Sequence, residues 1–406
     1  MFLRKNYLGL FFFSLGNTVF SQGKQLEIAN TNFVENTFVE TEVAIKEVQN
    51  DLTIAKLYEK SVDENVLDIG ANQNKNLSKE WAYDSLLTLL TSKEERSERF
   101  MINTLKINSE YSDYAPSFYE KELVFASSRN SNRVTRLIDE LSNQPFLDLY
   151  STTRSLDKIS INRLRGSVNT KFHESSAVFS KDKKAVYFTR NNYSKRKSKT
   201  NTEGTVLLKI YRAIYKEGKW GKVEELPFNS DEYSIAHPAL SSDGKYLYFA
   251  SDMPGSYGKS DLYMVEIYKD GSFGVPENMG DLINTPGRET FPYVSDKGNL
   301  FFASDGHPGM GGLDIFMLLP SKKGMTGVYN LGLPLNSPED DFTFIINEKC
   351  KTGYFASNRK GGKGDDDIYG FRQLLPFPKY FPDFKVKRSL ERHIDKQESE
   401  QAITSY

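Results

Sequence analysis

Cysteine is almost absent from this chain: Cys350 is the one thiol in 406 residues, so neither an internal disulfide nor a cysteine-based zinc cluster is open to it. Histidine is scarce too, with four at positions 173, 237, 307 and 393, none in the close spacing that brings two imidazoles to one metal. Charge of one sign is not in excess, since 53 Lys+Arg stand against 54 Asp+Glu for a net −1, whereas a dedicated nucleic-acid binder carries a clearly basic face. Beyond the N-terminus, no apolar run approaches the roughly 20 residues of a membrane-spanning helix. Aromatic residues are what the chain has in quantity, with 28 Phe and 23 Tyr. With 38 % hydrophobic residues, disorder of the whole chain is excluded and a large core is expected.

Residues 1–21 read as a signal peptide: Arg4 and Lys5 precede an apolar core from Leu8 to Gly16, and Val19 and Ser21 suit positions −3 and −1 of a cut before Gln22. No cysteine stands at that cut to carry a lipid. Cleavage removes two positive charges and leaves a net −3 (51 minus 54). The expected product is exported, to a periplasm or a cell surface. Residues 22–100 lack the repeat described next and show helical apolar spacing at Val43–Leu57 and Trp81–Leu90, which predicts a short N-terminal α-helical region. Residues 373–406 read as a charged, polar C-terminal tail.

The middle of the chain repeats. An apolar residue, Asn, then Ser or Thr recurs at Asn108, Asn169, Asn229, Asn284 and Asn336, separated by 61, 60, 55 and 52 residues. Each copy is followed by a strand-like segment closing on Phe125, Phe188, Phe249, Phe302 or Phe355. A third element then begins with Asp148, Asp261, Asp314 or Asp367, and with Lys209 in the second copy. In the third copy, Pro238–Ser241, Tyr246–Ala250, Asp261–Ile267 and Phe273–Met279 read as four strands. Asp243-Gly244 joins the first two, Gly supplying the positive φ of a tight turn. Four short antiparallel strands per roughly 55 residues, in tandem, are the pattern of β-propeller blades. The fold class is therefore mainly β: a five-bladed propeller of four-stranded antiparallel blades over residues 101–372.

The fifth repeat lacks a fourth strand and runs into Pro376 and Pro378. Met101–Ile107, ahead of the first repeat, carries the residues that elsewhere follow a fourth strand. That segment is expected to complete the last blade, closing the ring without a covalent bond and removing its open edges.

Several clusters invite chemistry. Asp305, His307, Gly309 and Gly312, with Asp314 nearby, suggest a metal or phosphate loop, but the strand–GxxxxGK[ST]–helix pattern is missing. A structural connection is the stronger reading, with Asp314, like Asp148, Asp261 and Asp367, accepting from backbone amides. Asp365-Asp366-Asp367 offers oxygen ligands for Ca²⁺ without the order of an EF-hand, and a solvated turn is the stronger reading there. Lys195, Arg196 and Lys197 form a basic run suited to an acidic partner or an anionic lipid surface, or to a plain solvated hairpin tip. No nucleophile elbow is present. Of the two tryptophans, Trp220 falls at a fourth-strand position, where burial between blades is expected.

The strings YSDYAPSFYEKELVFASSRN, SSDGKYLYFASDMPG, FASDGHPGMGGLDIF and YFASNRKGGKGDDDIYGF resemble the WD-like (TolB/PorE-type, PD40-like) propeller of Bacteroidota OmpA-family envelope proteins, over roughly residues 100–372. The resemblance implies a non-catalytic periplasmic propeller, associated with the outer membrane, that docks envelope proteins. A PorP/SprF-type outer-membrane partner and a link to type IX secretion or gliding come with it. That family carries a tetratricopeptide region before the propeller and an OmpA-like peptidoglycan-binding domain after it. About 34 residues follow the repeats here, so peptidoglycan binding is not expected of this chain. The competing reading is a glycan-binding or carbohydrate-active propeller, which would show two carboxylates about 5–10 Å apart in a central pocket.

Overall fold

The computed structural model describes residues 99–129, 138–139, 142–154, 159–194, 197–320 and 326–380. The expected signal peptide and N-terminal helices lie outside the described residues, as does the tail beyond residue 380.

The repeats fold into five four-stranded antiparallel sheets. Ahead of them stands β1 (Phe100–Thr104). The first blade is β2 (Asp113–Tyr119), β3 (Glu122–Ser127), β4 (Asp148–Arg154) and β5 (Ile159–Arg163). The second opens with β6 (Glu174–Phe179) and β7 (Ala185–Asn191). A separate two-stranded hairpin, β8 (Tyr193–Ser194) and β9 (Lys197–Ser198), precedes its outer strands β10 (Leu208–Lys216) and β11 (Lys219–Glu225). The third is β12 (Ile235–Leu240), β13 (Tyr246–Ser251), β14 (Asp261–Glu266) and β15 (Glu277–Asn278). The fourth is β16 (Glu289–Val294), β17 (Leu300–Ser304), β18 (Asp314–Pro320) and β19 (Thr326–Asn330). The fifth is β20 (Asp341–Asn347), β21 (Thr352–Ser357) and β22 (Asp367–Gln373), with β1 as its fourth strand.

The first strands neighbour one another in the cyclic order β2, β6, β12, β16, β20 and back to β2, so the blades form a ring. Its closure is the β1–β22 ladder, which runs from Phe100 opposite Gln373 to Thr104 opposite Tyr369. First and third strands of a blade run the same way, which defines two faces. The connections into each blade and the loops between second and third strands lie on one, here called the loop face. The tight hairpins lie on the other.

The repeated aromatics explain the core. Phe125, Phe188, Phe249, Phe302 and Phe355 are each buried directly opposite an aromatic of the third strand: Tyr150, Tyr211, Tyr263, Phe316 and Tyr369. Their ring centroids lie 5.5–6.3 Å apart. Such cross-strand pairs contribute about 0.5–1.5 kcal/mol each beyond the area they bury. Trp220 is buried against Phe179 at 5.5 Å and Tyr119 at 5.8 Å, between the first two blades.

In the third blade the second and third strands end within one residue of the sequence reading, at Ser251 and Glu266, and the first and fourth differ more. The third blade's first strand begins at Ile235, three residues before Pro238, because a bulge at His237 interrupts the alternation that periodicity detects. Its fourth strand shrinks to Glu277–Asn278, with Phe273 making only an isolated bridge to Ile267. Pro276 has no N–H to give that ladder. Gly244 adopts φ +74°, as the hairpin turn requires.

Candidate functional site

Every repeat asparagine does the same work. Its side-chain amide bonds both the N–H and the C=O of one residue on the third strand of the preceding blade: Asn108 on Ile368, Asn169 on Leu149, Asn229 on Ile210, Asn284 on Leu262 and Asn336 on Ile315. For Asn336 the two bonds are 2.8 and 3.0 Å. The carboxamide extends the ladder where the backbone turns away to the next blade. Ile315 C=O has a second donor in Leu331 N–H, at 3.1 Å, but its own N–H is served by Asn336. Asn336→Ala is therefore expected to cost about 1–3 kcal/mol for the stranded buried N–H, read as a lower urea midpoint at unchanged slope.

Five residues after four of these asparagines stands a buried acid: Asp113, Glu174, Glu289 and Asp341. Each accepts the N–H and hydroxyl of the Ser or Thr that follows the Asn, as in Thr285 N–H to Glu289 at 2.8 Å and Thr285 hydroxyl at 2.7 Å. The third blade has Ser234 at this place, its N–H donating to Asp252 at 2.7 Å. Three acids are paired with arginines: Arg129 on Asp113 at 2.5 Å, Arg190 on Glu174 at 2.8 Å and Arg359 on Asp341 at 2.5 Å; burial still pushes Glu174 up to about 7 and raises Asp341, against the pull of their arginines. Each guanidinium also lies over the blade's aromatic pair, at 4.9–5.7 Å from the ring centroids.

The fourth blade breaks this pattern. Glu289 is fully buried and has no arginine partner among the described residues; Ser304 donates to it at 2.6 Å, and His307 Nε2, which donates to Ile283 C=O at 2.7 Å, is 4.0 Å away. Burial is the main reason its carboxyl is pushed up to about 7, with the three donors pulling the other way and Asp261 adding repulsion. Asp314 is likewise pushed up to about 7 by burial, against the amides of Met310 and Gly311. Burial holds the His307 imidazole down at about 4, hence neutral.

The structure assigns the glycine-rich loop a packing duty. A Cβ on Gly309 would stand 1.7 Å from Asp314 Oδ2, and one on Gly312 would stand 2.1 Å from Asp340 Oδ1. These glycines let the loop wrap onto carboxylates that accept its amides. Asp314 takes Met310 and Gly311 N–H, Asp261 takes Tyr257 and Gly258 N–H, and Asp367 takes Lys363 and Gly364 N–H. Asp148 is paired with Arg163 at 2.6 Å. Asp305 is bonded to Arg288 at 2.8 Å. Asp365 accepts from Gln144, and Asp366, fully buried by its neighbours, is raised to about 7 by that burial. No cluster of three or more metal-ligating side chains occurs among the described residues. Lys209, the exception at the third-strand position, is paired with Glu225 and Asp231 at 2.6 Å each. Of the basic run, Lys195 and Arg196 lie outside the described residues, and Lys197 opens β9.

The ring centre escaped the sequence reading entirely. Each first strand carries a bulge at which one non-glycine residue adopts positive φ: Ala115 (51°), Ser176 (46°), His237 (58°), Phe291 (48°) and Thr343 (53°). Left-handed backbone costs such residues about 1–2 kcal/mol each, and its recurrence in all five blades marks it as architectural. Just before or at the bulges, Tyr114, Phe291, Phe342 and His237 meet across the axis. Phe291 lies 5.2 Å from Phe342, 6.5 Å from Tyr114 and 3.8 Å from the His237 ring. This aromatic plug blocks the channel. On its hairpin side the remaining first-strand residues line a cup of about 80 Å³, walled by Pro116, Val178, Pro238, Pro292, Tyr293 and Phe344 among others. Prolines suit this inner edge, because a strand N–H pointing into the channel has no ladder partner to lose.

In the cup wall, Ser176 Oγ and His237 Nδ1 are 2.8 Å apart. Burial lowers His237 to about 3, leaving a neutral imidazole. None of the lining residues is Asp or Glu, so the paired carboxylates of glycoside hydrolysis are not in this cavity.

No family model and no curated protein matches the chain. Among solved structures it is similar to a protein assigned as TolB from Agrobacterium tumefaciens, with 15 % identity over 70 % of this chain and 98 % of that one and a TM-score of 0.39. It is also similar to an α-L-arabinofuranosidase from Lactobacillus brevis, with 11 % identity over 69 % and 95 % of the two chains and a TM-score of 0.41. A third is a β-xylosidase/α-arabinofuranosidase from a compost microbial metagenome, with 9 % identity over 70 % and 98 % and a TM-score of 0.43. At such identities and scores, neither activity nor partners transfer to this chain.

Proposed function

We propose that this chain is an exported, non-catalytic propeller scaffold that docks other proteins of a bacterial cell envelope. The observation that carries the reading is how the repeat chemistry is used. The asparagines, the buried acids and three arginines bond one another or the backbone at the blade joints, and the cup is lined without a carboxylate. What is left to act is surface, including the loop-face lysines Lys199, Lys259 and Lys360, all exposed. The partner class follows from the sequence resemblance alone: an outer-membrane protein of the PorP/SprF type, with type IX secretion or gliding as the setting.

Cross-linking mass spectrometry in the native envelope tests this. Lysine cross-links from the loop face to an outer-membrane or secretion component are the expected result. Cross-links confined to the chain itself, or turnover of a glycan by the purified protein, would overturn it.

A further inference from the structure

The aromatic plug makes the cup blind: it opens on the hairpin side and ends at the bulge residues, among them Ser176, His237 and Thr343. Its walls are mostly carbon, from Pro116, Val178, Pro238, Pro292 and Phe344. No Asp, Glu, Lys or Arg lines it, and burial keeps His237 neutral. An ion entering here would give up its hydration and meet no counter-charge, so the cup selects against charged ligands.

Two polar groups at the floor are open to a ligand. Thr343 is 7 % exposed, and its hydroxyl has no hydrogen-bond partner among the described residues, whereas buried hydroxyls ordinarily have one. His237 uses Nδ1 for Ser176 Oγ at 2.8 Å. Whichever nitrogen of its neutral ring carries the proton, Nε2 can give or accept one further bond. The volume of about 80 Å³ corresponds to roughly five to eight waters at about 10–15 Å³ each, the bulk of one six-membered ring. A sugar ring fits this chemistry badly, because it carries a hydroxyl on nearly every carbon and most of them would be buried against carbon walls without partners.

We infer that the central cup binds a small neutral ring compound bearing a single hydroxyl, a phenol or a cyclic alcohol, with the ring between the proline walls and the hydroxyl bonded to Thr343. The Thr343 hydroxyl then gains the partner that the fold does not give it, and His237 Nε2 offers the ligand a second donor or acceptor. The inference stands apart from the docking reading, whose partner meets the loop face.

Fluorine NMR titration of the full-length chain with para-fluorophenol and with fluorobenzene tests it. Para-fluorophenol is expected to bind saturably and roughly five- to tenfold more tightly than fluorobenzene, the effect of one ordinary hydrogen bond. Thr343→Val keeps the shape of the side chain and removes only the unpartnered hydroxyl, so it should melt no lower than the parent. It should also bring para-fluorophenol down to the affinity of fluorobenzene, with fluorobenzene itself unchanged. Val178→Trp puts one of the protein's own rings into the cup and should abolish binding of both probes. Equal affinities in the parent, or para-fluorophenol binding undiminished by Thr343→Val, would overturn the inference. So would the lack of saturable binding by either probe, or binding that survives in a folded Val178→Trp protein; should that variant not fold, the Thr343 comparison decides alone.

Discussion

Deletion of residues 101–110 is expected to abolish the cooperative thermal transition of the propeller, not merely to lower it. The segment supplies most of the ladder to β22 across registered pairs from Met101 opposite Arg372 to Thr104 opposite Tyr369. It also supplies the buried Ile107 and the Asn108 amide that bonds both backbone groups of Ile368, at 2.9 and 3.1 Å. Without it, Ile368 keeps a buried N–H with no acceptor, worth about 1–3 kcal/mol, and loss of Ile107 adds about 2–5 kcal/mol. The lost ladder comes on top, so the sum approaches the roughly 5–15 kcal/mol that holds a typical domain together. The exposed edge of β22 becomes a template for pairing with other chains, so aggregation should accompany unfolding. Circular dichroism melting of the deletion variant is the measurement, and an unchanged transition would remove β1 as the closing strand.

The second large effect concerns Glu289, the buried acid without an arginine. Its folded-state pKa is raised to about 7 from 4.5, chiefly by burial. Folding therefore favours its protonated form. The stability this gives is complete below about pH 4.5 and is lost as pH rises through about 7. Glu289→Gln keeps an oxygen to accept Thr285 N–H and presents an amide to the hydroxyls of Thr285 and Ser304, so it imitates the protonated acid. At pH 8 the variant is expected to be more stable than the parent by ~3 kcal/mol, an order-of-magnitude figure from the size of the shift. By pH 4.5 the advantage should vanish. The neutral histidines His237 and His307 and the raised Asp314 and Asp366 also titrate with folding, but they are present in both proteins and cancel in the difference. A gap between the two urea midpoints that does not change with pH would show that Glu289 is ionised and accommodated throughout.

The residues that repeat at fixed spacing were legible before any coordinates. Asn108 through Asn336, the strand-closing phenylalanines and the third-strand aspartates recur because every blade needs the same joint. The acids five residues after four of the asparagines carry the same signal and were overlooked, and the arginines that pair with three of them are harder to see. Arg129 and Arg359 follow the repeat phenylalanine by four residues and Arg190 by two, so no single spacing finds them. The bulge ring was not legible at all. Ala115, Ser176, His237, Phe291 and Thr343 share no side-chain chemistry; what they share is a positive φ at the first-strand bulge. The glycines at 309 and 312 admit a ligand loop beside the stronger structural reading because Gly reports close approach without saying to what, and the approach is to Asp314 and Asp340.

By itself, then, the sequence determined the number of blades, their strand order and the borrowed strand that closes the ring. Those follow from local periodicity, turn chemistry and a count of strands that comes out one short at the end. Only the tertiary structure decided which acids meet an arginine, that Glu289 does not, and that the channel is plugged by rings from the first, third, fourth and fifth blades above an apolar cup. These depend on which side chains from distant repeats are forced together once the ring closes, and burial at that point sets the cost of each charge.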